Sequence, residues 1–339
     1  MLKPQLQKIL TYSINQGTLA YNTVSKHLTK TKDLVKEHLS SWTRIIILVI
    51  GLIIFLYYPL GGFLIHNIDT SSTYQPDSKN HELAVVDMSA YLINREVYNK
   101  LWTPSLPFMF PSYFLDNMPN FQLGLMSAIN QTISALSKTK LTASSEVAKQ
   151  NLDTAATLLN YPGDIWLFSP QNHLIPAPSS ATQYRKGRKS LKIFNRELEA
   201  GRAVFERSPH NLALILKAIT QDLNNDMIKN ENFLRENKDS YINLKTDDIF
   251  YFTQGKLYAY AQILKALSLD FKQTIIDKNI YEQWISAEKS LEQAAAMKPL
   301  IIRNGNPDSS FTPNHIITIN YYTSRSFSKL ENITLKLEK

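Results

Sequence analysis

Residues Ile45–Ile65, IIILVIGLIIFLYYPLGGFLI, form an unbroken run of 21 residues without a charge. At about 1.5 Å of rise per residue, a helix of that length spans roughly the 30 Å hydrocarbon core of a bilayer. A helix is also the single-segment structure that satisfies its own backbone hydrogen bonds while crossing lipid. The rest of the chain is therefore arranged around a transmembrane helix. Pro59, Gly61 and Gly62 weaken its last third and predict a kink or a loosened turn there. Trp42 before the run and Tyr57 and Tyr58 within it suit the headgroup region. A buried core helix rarely needs so long an uncharged run. A cleaved signal peptide has a shorter apolar stretch, a shorter leader and an A-x-A site. Here 44 residues precede the run and His66-Asn67-Ile68-Asp69 follow it, so an uncleaved signal anchor is expected.

The flanking charge gives a direction. Residues 1–44 carry seven Lys and Arg against two Asp and Glu, whereas residues 66–99 carry two against five. The positive-inside rule places the N-terminus in the cytoplasm and the C-terminal part outside. The expected division is a cytoplasmic basic amphipathic tail at 1–44, the transmembrane signal anchor at 45–65, a linker at 66–80 and an external domain at 81–339. A sub-division is expected near 161–180. Much of the net charge of +8 sits in the tail, so the basic balance speaks for topology and not for nucleic acid. With no cysteine, disulfides, iron–sulfur clusters and thiolate zinc sites are excluded. A cysteine-free outer part suits a bacterial periplasm. A mitochondrial targeting segment would also lack acidic residues over 1–32, although it would favour Arg, which is absent there.

In the tail, Leu6, Leu10, Tyr21, Val24, Leu28, Val35 and Leu39 recur at helical spacing, which fits an amphipathic helix or a loosely ordered leader. Beyond the linker, stripes of period 3.6 follow one another. Val86, Ala90, Ile93, Val97 and Leu101 make the first. Phe121, Leu125, Ile129, Ile133 and Leu136 make the second, and Leu152, Ala155, Ala156 and Leu159 the third. A basic helix is predicted near Thr182 to Phe205. Ser208-Pro209 reads as an N-cap with Pro at the first helical position, before a stripe from Leu212 to Leu223. Thr246-Asp247-Asp248 reads as a capped, dipole-matched start of another helix, and further helices are predicted near Tyr281–Met297 and Asn314–Leu337. Convincing period-two alternation is absent. The expected fold class is all-α: an antiparallel helical-bundle external domain behind an N-terminal amphipathic helix and one transmembrane helix.

Chemistry-bearing signals are few. The seven histidines are scattered, with no pair at i and i+4 on a helix, and no phosphate-loop, G-x-S-x-G or H-E-x-x-H pattern occurs. No catalytic residue, metal ligand or cofactor-binding residue is assigned, and no cofactor is implied. Asp247 and Asp248 are helix neighbours about 100° apart, so capping is preferred over an acid/base pair. Glu197, Glu199 and Glu206 among Arg196, Arg202 and Arg207 read as a solvated, ion-paired face. The strongest charge feature is Arg185, Lys186, Arg188, Lys189 and Lys192, which suits an anionic headgroup, an anionic glycan, an acidic partner or simply an exposed helix face. The loop Tyr161–Pro178 carries Trp166 and Phe168, which complete the candidate interaction surface. Being too apolar to hang in solvent, both are expected to dock on the bundle, while Asn117, Pro119 and Asn120 are expected to form a turn feeding a helix that starts near Phe121.

Several stretches together, Leu115 to Gln122, Tyr184 to Asn195, Ala200 to Phe205, Asp247 to Phe252 and Gly255 to Tyr258, resemble the bacterial family termed domain of unknown function 2333. The resemblance implies one N-terminal anchor and a helical outer domain, mostly in Gram-negative bacteria. It brings no activity or binding residue with it. The expected protein is a non-enzymatic, single-pass inner-membrane protein whose periplasmic helical domain is an interaction or scaffold module. Its partners would be the bilayer through residues 45–65 and an envelope protein or a second copy, with no nucleic acid. A periplasmic hydrolase or cell-wall-modifying enzyme with a site assembled from distant residues, or an anionic lipid or glycan binder, are the alternatives.

Overall fold

A computed structural model describes residues 24–27, 29–32, 41–71, 73–76, 81–143, 145–169, 172–237, 244–299, 301–305 and 313–339. Contacts divide the chain into two units, Met1–Pro59 and Leu60–Lys339. In the first, Val24 is helical and exposed, while Leu6, Leu10, Tyr21, Leu28, Val35 and Leu39 of the expected amphipathic stripe lie outside the described residues. Helix α1, Ser41–Ile65, runs through Pro59 without a break. Over Trp42–Ile65 it is long and apolar enough to cross a membrane, and its side chains from Ile45 to Leu56 are exposed.

The second unit is a bundle of helices. Helix α2 (Ala84–Asn94) passes into a π-helical turn at Arg95–Asn99, and a 3-10 turn at Pro111–Phe114 precedes α3 (Asn117–Leu136). Then come β1 (Leu141–Ala143), α4 (Glu146–Leu159), β2 (Phe168–Ser169), β3 (Asn172–Pro176), α5 (Ser180–Glu199) and β4 (Val204–Phe205). The chain closes with α6 (Pro209–Glu236), α7 (Leu244–Asp270), α8 (Lys272–Asp277), α9 (Tyr281–Ala295) and α10 (His315–Leu337). The class is all-α, as the periodicity predicts. The strands form two short antiparallel pairs, β1 with β4 and β2 with β3, too brief to show alternation.

The apolar stripes become the core. Phe121, Leu125, Ile129, Ile133 and Leu136 are all fully buried, as are Leu212, Ile215, Leu216, Ile219 and Leu223. The first stripe holds from Val86 to Val97 and then loses Leu101, which is 39% exposed with φ of 67°. The π-helical turn accommodates an extra residue and rotates the succeeding residues off the face. Helix α7 is buried on nearly every side between Phe250 and Leu267 and forms the centre of the bundle. It meets α3 at two glycines. A Cβ on Gly124 would lie 1.9 Å from the Phe252 carbonyl oxygen, and one on Gly255 would lie 2.0 Å from that of Phe121. The two backbones touch because neither residue has a side chain.

Polar joints fix the register of this packing. Glu96, fully buried, accepts from Arg95 at 2.7 Å and from the Gln122 amide at 3.2 Å, and the Gln122 oxygen accepts from the Thr103 amide and hydroxyl. Arg95 also donates to the Tyr258 hydroxyl at 2.6 Å. That hydroxyl donates to the Ser71 carbonyl, and Lys100 donates to that of Asn67. Tyr74 stacks on Tyr91 and donates to Asp87. Asn67, Ser71 and Tyr74 of the stretch expected to be a linker therefore lie against the domain. A second joint places the buried Lys256 ammonium 2.6 Å from Asp226 and 3.0 Å from Asp222, linking α6 to α7.

Caps are where sequence and structure differ most. Ser145, Ser179, Ser208 and Asn314 each accept from the amide three residues on, the expected capping geometry. Helix α3 starts four residues before Phe121: Asp116 is the cap, and Asn117, Met118 and Pro119 already lie in the first turn, where Pro costs no hydrogen bond. Helix α7 is already helical at Leu244, so Thr246 lies inside it and is not the cap. Helix α5 ends at Glu199 and not near Phe205, because Gly201 takes φ of 68° and Val204–Phe205 pairs with β1.

Candidate functional site

The basic cluster of α5 is divided by the helix into two faces. Arg185 and Arg188 turn inward, with guanidinium carbons 4.9 and 5.3 Å from the Tyr98 ring centroid, and Arg188 donates to the Ala90 carbonyl at 3.2 Å. They bind the protein's own surface by cation–π contact. Lys186 and Lys189 are exposed on the outer side, while Lys192, one turn beyond Arg188, is exposed on the arginine side. Lys192 and Arg196, with Glu82, Asp87 and Glu199, rim a cleft of about 210 Å3 between α2 and α5. That is below the usual range for small-molecule pockets. Further along, Glu197 takes a two-pronged pair from Arg202, at 2.6 and 3.0 Å, and a bond from Ser145. Arg202 holds the Glu197 carboxyl below its ordinary range. The expected ion-paired face is real there, although Glu197 itself is buried and not solvated.

Trp166 and Phe168 do not dock as expected. Trp166, Leu167 and Phe168 are 42, 43 and 44% exposed. The residue that docks is Ile165, whose amide donates to the Ser180 hydroxyl and whose carbonyl accepts from the Ser180 amide. Ser180 also donates to the Pro162 carbonyl, the Tyr161 hydroxyl donates to that of Pro178, and the Ala177 amide donates to that of Leu167. The base of the β2–β3 hairpin is thus pinned to the start of α5 while its apolar arm faces outward. The tryptophans that fill the core are Trp102 and Trp284. Trp102 donates to the Gly163 carbonyl and packs edge-on against Tyr184, so it lies beneath the same loop.

The fold also assembles a group that the spacing argued against. Carboxylate oxygens of Asp116, Asp247 and Asp248 lie within 4.8 Å of one another. Burial raises the Asp247 and Asp248 carboxyls above their ordinary values, and their neighbours' charges add to it. Asn120 donates to Asp248 at 2.6 Å, and Asp116 caps α3. Asp247 and Asp248 are adjacent on one helix, and packing sets both beside Asp116 at the start of another despite their like charge; no sequence spacing announces that.

The family of uncharacterised proteins conserved in bacteria, domain of unknown function 2333, matches residues 105–225 and 211–338. The chain belongs to this family. The resemblance seen in Leu115–Gln122, Gly201 and Asp247–Tyr258 falls inside the matched region. No curated protein and no solved structure matches the chain. Several residues of those stretches make the contacts described above: Asp116, Phe121, Gln122, Gly255 and Tyr258. In this chain they hold helices together.

Proposed function

We propose that this chain is a membrane-tethered interaction module of the bacterial envelope. Its N-terminus lies in the cytoplasm, its helical unit lies in the periplasm, and the β2–β3 hairpin is offered to a partner protein. The observation that carries the proposal is the row Trp166-Leu167-Phe168, exposed on an arm whose base is fixed by Ser180. Single exposed apolar residues are ordinary, but a contiguous large apolar patch marks an interaction site. Aromatic side chains on a rigid support are the usual anchors of such sites. The lysine face of α5, whose start is pinned to the hairpin base, would favour an acidic rim on the partner.

A photo-cross-linking residue placed at Trp166 or Leu167 of the full-length chain in membranes tests this directly. A discrete adduct from both positions, absent from a control at Val147 on α4 and lost in Phe168→Ala, is expected. Folded, membrane-bound protein that gives no adduct at either position would rule the hairpin out as the partner site.

A second reading, cation-dependent hydrolysis, is favoured by the Asp116–Asp247–Asp248 group, because hard cations are held by carboxylate oxygens. Calorimetric titration with Ca2+ or Mg2+ distinguishes it: binding lost in Asp116→Asn would support it, and the absence of heat would dismiss it.

A further inference from the structure

We infer that the segment Trp102–Leu115 is a second membrane contact, a loop seated in the bilayer interface beside the place where the anchor leaves the lipid; this rests on the membrane-tether reading. Position carries the inference first. Leu60–Ile65, the last turns of α1, belong to the same unit as the loop. A Cβ on Gly61 would lie 2.5 Å from Pro111 Cγ, and one on Gly62 would lie 3.6 Å from Leu115 Cδ2. The 3-10 turn Pro111–Phe114 therefore lies directly on the end of the apolar helix.

Its chemistry is that of the interface. From Trp102 to Leu115 there is no charged residue, and Lys100 and Asp116 bracket the stretch. Phe108, Met109, Tyr113 and Phe114 are 65, 50, 55 and 69% exposed, and Phe63 and Leu64 at the end of α1 are 81 and 79% exposed. Left in water, these large apolar side chains are unfavourable; at the headgroup and upper acyl level they are favourable, and aromatic rings prefer that depth.

The backbone is prepared for it as well. Polar backbone groups entering an apolar layer need internal partners. Leu106, Phe110, Tyr113 and Leu115 each donate to the carbonyl three residues earlier, and Pro104, Pro107 and Pro111 have no N–H to satisfy. The chain enters and leaves the stretch through buried anchors: Trp102 and Thr103 on one side, Ser112 under the turn. Lipid is the fitting occupant because the turn packs on Gly61 and Gly62, at the end of the apolar helix α1, where Phe63 and Leu64 are also exposed.

The chain contains no cysteine, so single-cysteine variants report one position each. Met109→Cys, Phe114→Cys, Phe55→Cys in α1 and Tyr281→Cys on α9 would be labelled with an environment-sensitive fluorophore. The full-length variants would be reconstituted in vesicles of phosphatidylethanolamine and phosphatidylglycerol. Spin-labelled lipids are expected to quench positions 109 and 114 several-fold more than 281, while iodide quenches 281 preferentially. Quenching at 55 without quenching at 109 and 114 would overturn the loop and leave the anchor standing. Absence of lipid quenching at all four would overturn both. Labels at 109 and 114 shielded from iodide yet unreached by lipid quenchers would mean a protein surface covers the loop, and would equally overturn it.

Discussion

Leu83 is a poor helix cap, and its side chain makes no capping bond to α2. Asp270, from the far end of α7, supplies the missing acceptors: its carboxylate takes the amides of Ala84 and Val85 at 2.7 and 2.9 Å, and Asn195 brackets Leu83 itself. Burial pushes the Asp270 carboxyl up to about 7, against the pull of the two amides and of Arg207. A raised carboxyl binds its proton more tightly in the folded state, so its contribution is full below about pH 4, the ordinary carboxylate value, and is lost as pH rises through 7. Glu288, also raised to about 7 by burial, opposed by Lys265 and reinforced by Glu292, acts in the same window. Urea midpoints should therefore be higher at pH 5 than at pH 8, with the difference reduced in Asp270→Asn. An undiminished difference in that variant would remove Asp270 from the explanation. Among the aromatics, Phe121→Ala should cost about 3–5 kcal/mol of unfolding free energy, because it empties a fully buried site. Trp166→Ala should change it by no more than about 0.5 kcal/mol, the usual range at an exposed position.

At the scale of elements, the crossing of α3 and α7 depends on two missing side chains. Gly124→Ala or Gly255→Ala would drive a methyl into backbone, not into a movable side-chain end, and should cost at least about 1–3 kcal/mol, the usual penalty of overpacking. Circular dichroism melts would show it, and an unchanged melting temperature in either variant would contradict the close approach. The helices themselves are legible in the sequence because their apolar faces repeat: Phe121 to Leu136, Leu212 to Leu223 and the Ser208-Pro209 start all stand where the pattern puts them. Their ends are less so. Asp116 opens its helix ahead of Phe121, Thr246 lies inside a helix and not at its start, and the π-helical turn that displaces Leu101 has no period of its own. The hairpin departs from expectation because apolar composition in a loop signals contact but not with what; Ile165 and Trp102 take the core positions that Trp166 was expected to fill. The acidic group is invisible in the sequence because Asp116 and Asp248 meet only through tertiary packing.

At the scale of the whole molecule, one helix among the described residues, Trp42–Ile65, is long and apolar enough to span a bilayer, and the helical unit begins within its last turns at Leu60. The charge change across that helix, basic before and acidic after, is the physical basis of the proposal that the helical unit lies outside, since basic flanks resist translocation. The most direct measurement is a pair of reporter fusions after Lys339, one to a phosphatase active in the periplasm and one to a reporter active in the cytoplasm. The phosphatase fusion should be active and should stay with the membrane through alkaline carbonate extraction. An inactive phosphatase with an active cytoplasmic reporter would contradict the topology. A fusion released by carbonate would contradict the tether itself.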